Sequence, residues 1–246
     1  MQIDERLGDY CSASRILGAM TSMESSSRLT RILLASGSPR RVEIMQGILN
    51  PVDSVRPTNV EGPVHPNESP ADYVARMALE KSEAAPREDG GAVVLSADTM
   101  VVLDGRVLGK PEDADETEAM LADLRGRVHQ VLTGVSVRNG SAATPVTEVT
   151  RTDVLMRDYS RTEIRAYAQA GSGLDKAGGY GIQDREFRPV GRIEGCYLNV
   201  VGLPLCTVVR LLSKVGANVQ LQPRASVPYV EYCRGCDLRW STEEQR

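Results

Sequence analysis

Ser38, Pro39, Arg40 and Arg41 follow a short apolar run, Leu33-Leu34-Ala35, and the polar step Ser36-Gly37. That order reads as a strand, a turn and a helix opening with a pair of guanidinium groups. Ser38 suits an N-cap, because its hydroxyl can accept from a first-turn amide, and Pro39 suits the first helical position, where a missing N–H costs nothing. Unpaired amides, the positive end of the helix dipole and two planar donor groups together favour phosphate oxygens. A solvated surface helix start has the same composition, so these residues alone leave both readings open. A second group is Asp98-Thr99, which follows the continuous apolar run 92–96. A carboxylate beyond the C-terminal edge of a buried strand is placed to take a proton or to hold a cation. Lys110, between Gly109 and Pro111, adds positive charge next to a turn.

The elements that must position these groups can be taken in order. Residues 1–30 are Ser-rich without a sustained period and read as a disordered extension. A strand over 32–35 leads into the helix from Pro39, whose Val42, Ile44, Met45 and Ile48 face a core. After a Pro-rich connection containing Glu61, Ser69 and Pro70 open a helix that buries Tyr73, Val74, Met77 and Ala78 and carries Lys81 near its end. The strand 92–96 delivers Asp98, and 100–108 reads as a hairpin about Asp104-Gly105. A helix over 115–125 stops at Gly126. Strands over 131–137 and 146–156 join across Asn139-Gly140, and Ser160 with Glu163 forms a capping box for a helix ending at Gly171. A glycine-rich loop, 171–183, matches neither a P-loop nor a dinucleotide fingerprint, since its lysine spacing and preceding element differ from both. A last core strand is expected over 198–201, then a helix from Gly202-Leu203-Pro204 to about Lys214, with 215–246 as a tail.

Whole-chain properties narrow the class. The 246 residues suffice for one large domain or two lobes sharing a cleft. Hydrophobic residues at 41% and charged residues at 25% suit a soluble globular protein. A net charge of −4 and few aromatics, one Trp, one Phe and eight Tyr, argue against a nucleic-acid surface but not against a small basic pocket. No apolar run is long enough to span a membrane and no secretory leader is recognisable, so a cytoplasmic location is expected. The five cysteines are scattered, which speaks against a disulfide framework, and the Cys233-Cys236 pair lacks the partners of a structural zinc site.

Six ordered blocks carry a resemblance. These are 35–41, 96–99, 108–111, 129–135, 175–183 and 199–204, in the order seen in the Maf family of nucleoside triphosphate pyrophosphatases. The resemblance covers about 31–214. It implies an α/β fold, a two-lobed mixed sheet with a central cleft similar to that of the inosine triphosphate pyrophosphatases. It implies hydrolysis of dTTP and UTP to the monophosphate and pyrophosphate. Ser36, Ser38, Arg40 and Arg41 match the loop that grips the triphosphate, Lys81 and Lys110 its cationic pocket, and Asp98 its proton acceptor. Arg40, Thr99 and Gln183 match the trio marking the dTTP/UTP branch. In the 7-methyl-GTP branch a tryptophan tends to replace the arginine after the proline.

The implied reaction makes sense of these residue types. It needs a water aligned on phosphorus, a base for its proton and positive charge where pyrophosphate leaves. A close cation contributes about 4 kcal/mol at intermediate dielectric before desolvation is subtracted. A divalent cation, Mg²⁺ or Mn²⁺, is implied, with Asp98 and Glu61 as its candidate protein ligands; whether both touch the metal or Asp98 acts through water alone is left open. Two alternatives stand beside this: 7-methyl-GTP or a broader nucleotide range, and a nucleotide-binding regulator of division or septum formation. A homodimer is left open. The segment 184–190 is more charged than is usual in the family, which leaves its role open.

Overall fold

The computed structural model describes residues 29–50, 52–55, 60–86, 92–140 and 144–221. The expected extension, apart from residues 29 and 30, the tail beyond 221, and the Cys233-Cys236 pair lie outside these.

In chain order the elements are β1 (Ile32–Leu34), α1 (Pro39–Ile48), β2 (Leu49–Asn50), β3 (Val52–Val55), α2 (Pro70–Ala84), β4 (Val93–Leu103), β5 (Arg106–Leu108), α3 (Ala114–Leu124), β6 (Val128–Asn139), β7 (Val146–Met156), α4 (Arg161–Gln169), a 3₁₀ turn (Ala177–Gly179), β8 (Val190–Glu194), α5 (Tyr197–Val201), α6 (Leu205–Lys214) and β9 (Gln220–Leu221). The main sheet runs β3-β1-β4-β6-β7-β8, with β5 added to β4, while β2 and β9 form a separate short pair. β3, β1 and β4 are parallel; β4, β6, β7 and β8 alternate antiparallel. This is the expected mixed α/β sheet.

The helix starts follow their local chemistry. Ser69 caps α2 by accepting from Asp72 N–H, and Asp113 caps α3 by accepting from Glu116 N–H. At α4 the Ser160 and Glu163 capping box is formed in both directions. Asp104 and Gly105 take positive φ, 50° and 78°, as the two-residue turn between β4 and β5 requires.

β4 is the spine of the molecule, and here one expectation is corrected. The strand does not end at residue 96. It runs unbroken from Val93 to Leu103, and β6 pairs with it from Val93↔Asn139 to Val102↔Gln130. Asp98 therefore sits in mid-strand, not beyond a strand's C-terminal edge. Residues 93–103 contain no glycine or proline, and a continuous partner keeps the ladder intact through the polar pair Asp98-Thr99. The alternation of side chains sends residues 96, 98, 100 and 102 toward α2 and residues 93, 95, 97 and 99 to the opposite face. Ser96 Oγ donates to Ala78 O of α2 at 2.6 Å, while Val93, Leu95 and Ala97 join the core with α5 and α6.

That core is divided. One cluster gathers Ile32, Leu34, Ile44, Met45, Leu95, Val135 and the apolar faces of α5 and α6; a second gathers Val101, Leu103, Leu121, Leu124, Tyr159, Tyr167 and Phe187. They are the interiors of two lobes that share β4 and β6.

Three further differences from the sequence reading have physical causes. Residues 197–201 form the short helix α5 instead of a strand, ended by Gly202 at φ 119°; the four residues Leu198-Asn199-Val200-Val201 are too few to show a period with which to choose, and the glycine supplies a helix stop. β8 was not anticipated, because Val190–Glu194 is mostly exposed and charged. Its preceding charged segment is ordered by Asp184, whose Oδ1 accepts from Glu186 and Phe187 N–H, setting Phe187 against Tyr167 at 4.5 Å between ring centroids. Finally, Cys206 is disulfide-bonded, a single bridge that the spacing did not point to and short of the framework it spoke against.

Candidate active site

β1 and β5 pair with the same edge of β4 but at opposite ends. β1 reaches Leu95 and β5 begins at Val101, so residues 96–100 have no strand on that side. A cleft of about 780 Å³ opens there, a size ordinary for a small-molecule site. A lateral gap in the sheet thus provides what a strand end was expected to provide.

All ten residues singled out in the sequence line this cleft: Ser36, Ser38, Arg40, Arg41, Glu61, Lys81, Asp98, Thr99, Lys110 and Gln183. They arrive from six directions: the β1–α1 turn, the stretch before α2, α2 itself, β4, the end of β5 and the glycine-rich loop. Lys81 Nζ donates to Asp98 Oδ1 at 2.5 Å, and both side chains are mostly shielded. Lys110 and Glu61 are exposed at the rim.

At the β1–α1 turn the backbone of Ser38 opens the helix, and its hydroxyl makes none of the capping bonds found at α2, α3 and α4. Ser38 O accepts the first helical bond from Val42 N–H at 3.1 Å, and Ser38 N–H donates to Ser36 Oγ at 3.2 Å. The two arginines then part company. Arg41 turns inward: its Nε donates to Gly202 O at 2.8 Å, Nη1 to Ala97 O at 2.8 Å and Ser36 Oγ at 3.4 Å, and Nη2 to Thr99 Oγ1 at 2.9 Å. Ala97 O belongs to the unpaired stretch of β4, so Arg41 satisfies a backbone group that the missing strand would have taken. Burial lowers the Arg41 guanidinium from its ordinary value, with Asp98 acting against that shift and Arg40 adding to it. Arg40 lies at the cleft mouth, where its Nη2 reaches Asp175 O at 3.4 Å and Asp175 Oδ2 at 3.5 Å.

The glycine-rich loop forms the facing wall. Lys176 Nζ donates to Ser172 O at 2.6 Å and to the Asp175 carboxylate. Burial works against ionisation of Asp175, but the Lys176 hydrogen bond and the Lys176 and Arg40 charges outweigh it and hold the carboxyl below its ordinary value. Gln183 Nε2 is buried with no hydrogen-bond acceptor among the described residues. An orphaned amide donor in a cleft wall is costly unless a ligand supplies the acceptor.

Sequence reasoning did not find the bracing role of Arg41, the Arg40–Asp175 contact or the part played by Gly202 O, since each depends on which loops meet across the gap. Among the described residues, no group of three or more His, Cys, Asp or Glu converges to hold a metal ion. The donor set of the cleft is carboxylate, from Asp98 and Glu61, with Asp175 on the facing wall bound to Lys176 and Arg40. It fits a hard dication that takes one or two protein carboxylates and completes its shell with phosphate oxygens and water. No helix among the described residues is long and apolar enough to cross a membrane.

Residues 31–215 match the family described as Maf-like protein. A dTTP/UTP pyrophosphatase of Symbiobacterium thermophilum is 45% identical over 188 residues, covering 76% of this chain and 95% of that protein. A second, from Anaeromyxobacter dehalogenans, is 46% identical over 188 residues, covering 76% and 94%. A HAM1 protein from Coxiella burnetii aligns at a TM-score of 0.37 and 17% identity over 53% of this chain and 75% of that one, a likeness too slight to add to the fold read from the sheet itself.

Proposed function

The chain belongs to the Maf-like protein family, and from that premise we propose that its cleft hydrolyses dTTP and UTP between the α and β phosphates, releasing the nucleoside monophosphate and pyrophosphate. The observation that carries this reading is the placement of the Lys81–Asp98 pair in one cleft with the arginine-bearing turn and the orphaned amide of Gln183.

In this reading Asp98 accepts the proton of a water aligned on the α-phosphorus. The new P–O bond forms as the anhydride bond to the β-phosphate breaks, and pyrophosphate carries away the electron pair. Lys81, Lys110 and Arg40 balance the charge gathering on the leaving group. Ser36, Ser38 and the first-turn amides of α1 hold phosphate oxygens. Arg41 adds positive field to the same wall, and its hydrogen bonds keep that wall in register with β4. A divalent cation, when held by Asp98 with Glu61 beside it, screens the phosphates and makes the attacking water more acidic.

Base choice falls to the loop side. Gln183 Nε2 is a donor in want of an acceptor, and the carbonyl oxygens of uracil and thymine supply one. Arg40 closes over the nucleotide from the mouth, while Thr99 acts through its bond to Arg41.

The test is pyrophosphate release from canonical and modified nucleoside triphosphates with Mg²⁺ or Mn²⁺, and with EDTA as control. Preference for dTTP and UTP that is lost in EDTA is the expected result. Release from 7-methyl-GTP in their place would overturn the base assignment, and tight binding without release would replace the enzyme with a nucleotide-responsive regulator.

A further inference from the structure

His129 of β6, behind the cleft wall, and Tyr180 of the glycine-rich loop, which lines it, form a buried polar pair. His129 Nε2 and Tyr180 Oη lie 2.6 Å apart, and the rings meet edge to face at 5.4 Å and 83°. The side chains are respectively 2% and 5% exposed. His129 Nδ1 has no partner among the described residues, so the imidazole's hydrogen bonding is committed to Tyr180 alone. Burial lowers His129 to about 4 and pushes the Tyr180 phenol up, so the pair is neutral at ordinary pH.

The position of Tyr180 matters more than its polarity. It follows Gly178 and Gly179, both at positive φ, 73° and 69°, and precedes Gly181-Ile182-Gln183. Gly178 N–H donates to Gly109 O at 2.8 Å, fixing the middle of the loop beside Lys110. A side chain at Gly178 would meet Val101 Cγ1 at 3.1 Å and the Tyr180 ring at 3.4 Å, so the loop is pressed onto β4 at this point. Past Tyr180 the loop has no strand partner, and Gln183 presents its unpartnered amide three residues later.

We propose that the His129–Tyr180 hydrogen bond is a positioning device for base recognition, clamping the glycine-rich loop to β6 so that the Gln183 amide stands at a fixed place in the cleft. Neither residue needs to touch the reacting phosphates. The proposal rests on the reading of Gln183 as the group that meets the pyrimidine.

The experiment compares kcat/KM for UTP and dTTP with that for GTP in full-length Tyr180→Phe, His129→Leu, His129→Gln and Gln183→Ala, with Tm measured on each. Tyr180→Phe keeps the ring and the packing and removes only the hydroxyl. The expected result is a loss of about tenfold in pyrimidine-over-purine discrimination for Tyr180→Phe and His129→Leu. His129→Gln, whose amide can still reach the phenol, is expected to retain most of the preference. Equal losses on every base, with the ratio kept, would reduce the pair to a structural contact and overturn the proposal. If Gln183→Ala removes discrimination and Tyr180→Phe does not, the positioning role alone falls. If Gln183→Ala leaves discrimination intact, the base reading of Gln183 falls and the proposal falls with it.

Discussion

Lys81 Nζ lies 2.5 Å from Asp98 Oδ1, joining the last turn of α2 to the middle of β4 across the floor of the cleft. The two side chains are 15% and 17% exposed, so the pair is largely withdrawn from water. In the proposed reaction, phosphate entering the cleft competes with Asp98 for the ammonium.

Asp98→Asn keeps the shape of the side chain and removes its basicity. We expect kcat to fall by about 10²- to 10⁴-fold with nucleotide affinity largely kept. Single-turnover pyrophosphate release beside a nucleotide-binding titration checks it; near-normal turnover would remove Asp98 from the chemistry.

Adjacent arginines should fail differently. Arg40→Ala removes a partly exposed group at the mouth and should raise KM several-fold while leaving Tm nearly unchanged. Arg41→Ala strips acceptors including Ala97 O and Gly202 O of their donor, at about 1–3 kcal/mol for each group left unsatisfied. A clear drop in Tm with lost activity is expected for Arg41→Ala, read by thermal melts of both variants side by side.

Chelation should separate binding from turnover. EDTA is expected to abolish pyrophosphate release while a weakened nucleotide affinity survives on Arg40, Lys81 and Lys110; Mg²⁺ should restore the rate. Full activity in chelator would exclude the carboxylates as cation ligands.

His129 gives a pH signature. Its native value of about 4 lies below the unfolded value of 6.5, so below pH 6.5 the unfolded chain binds a proton that the native state refuses. The associated stability is complete above about pH 6.5 and lost as pH falls toward 4, by about 3 kcal/mol in all. Urea midpoints between pH 7 and 4.5 should fall more steeply for the native protein than for His129→Gln.

Gly134 lies directly opposite Asp98 in the β4–β6 register. A Cβ there would stand 2.2 Å from Val74 O in the backbone of α2, so even alanine forces the helix off the sheet. Gly134→Ala should cost several kcal/mol and weaken the Lys81–Asp98 contact, since α2 carries Lys81. A Tm loss accompanied by a kcat lower than in an equally destabilised variant elsewhere is the result that checks it.

How much of this was legible beforehand depends on the range of the interactions involved. Caps and turns were readable because Ser69, Ser160 and Asp104-Gly105 act on amides within a few residues. The candidate site residues lie in the ordered motifs except Lys81 and Glu61, which were named only through the family resemblance, and the cleft gathers them all. The gap along β4 was not readable, because it depends on two separate strands choosing the same edge. Nor was the divergence of Arg40 from Arg41, which is decided by Ala97, Thr99 and Gly202 far along the chain.

The interrupted edge of β4 has a consequence for the protein's solubility as well as for its site. Unpaired backbone in mid-sheet is a template onto which another chain could add a strand and begin to aggregate. Here the open stretch is limited to residues 96–100, walled at its ends by β1 and β5, and its Ala97 carbonyl is already engaged by Arg41. The slot is too short and too charged for an invading strand, while the cleft has the volume of a small-molecule site. The features proposed to bind substrate therefore also guard the sheet against its own neighbours.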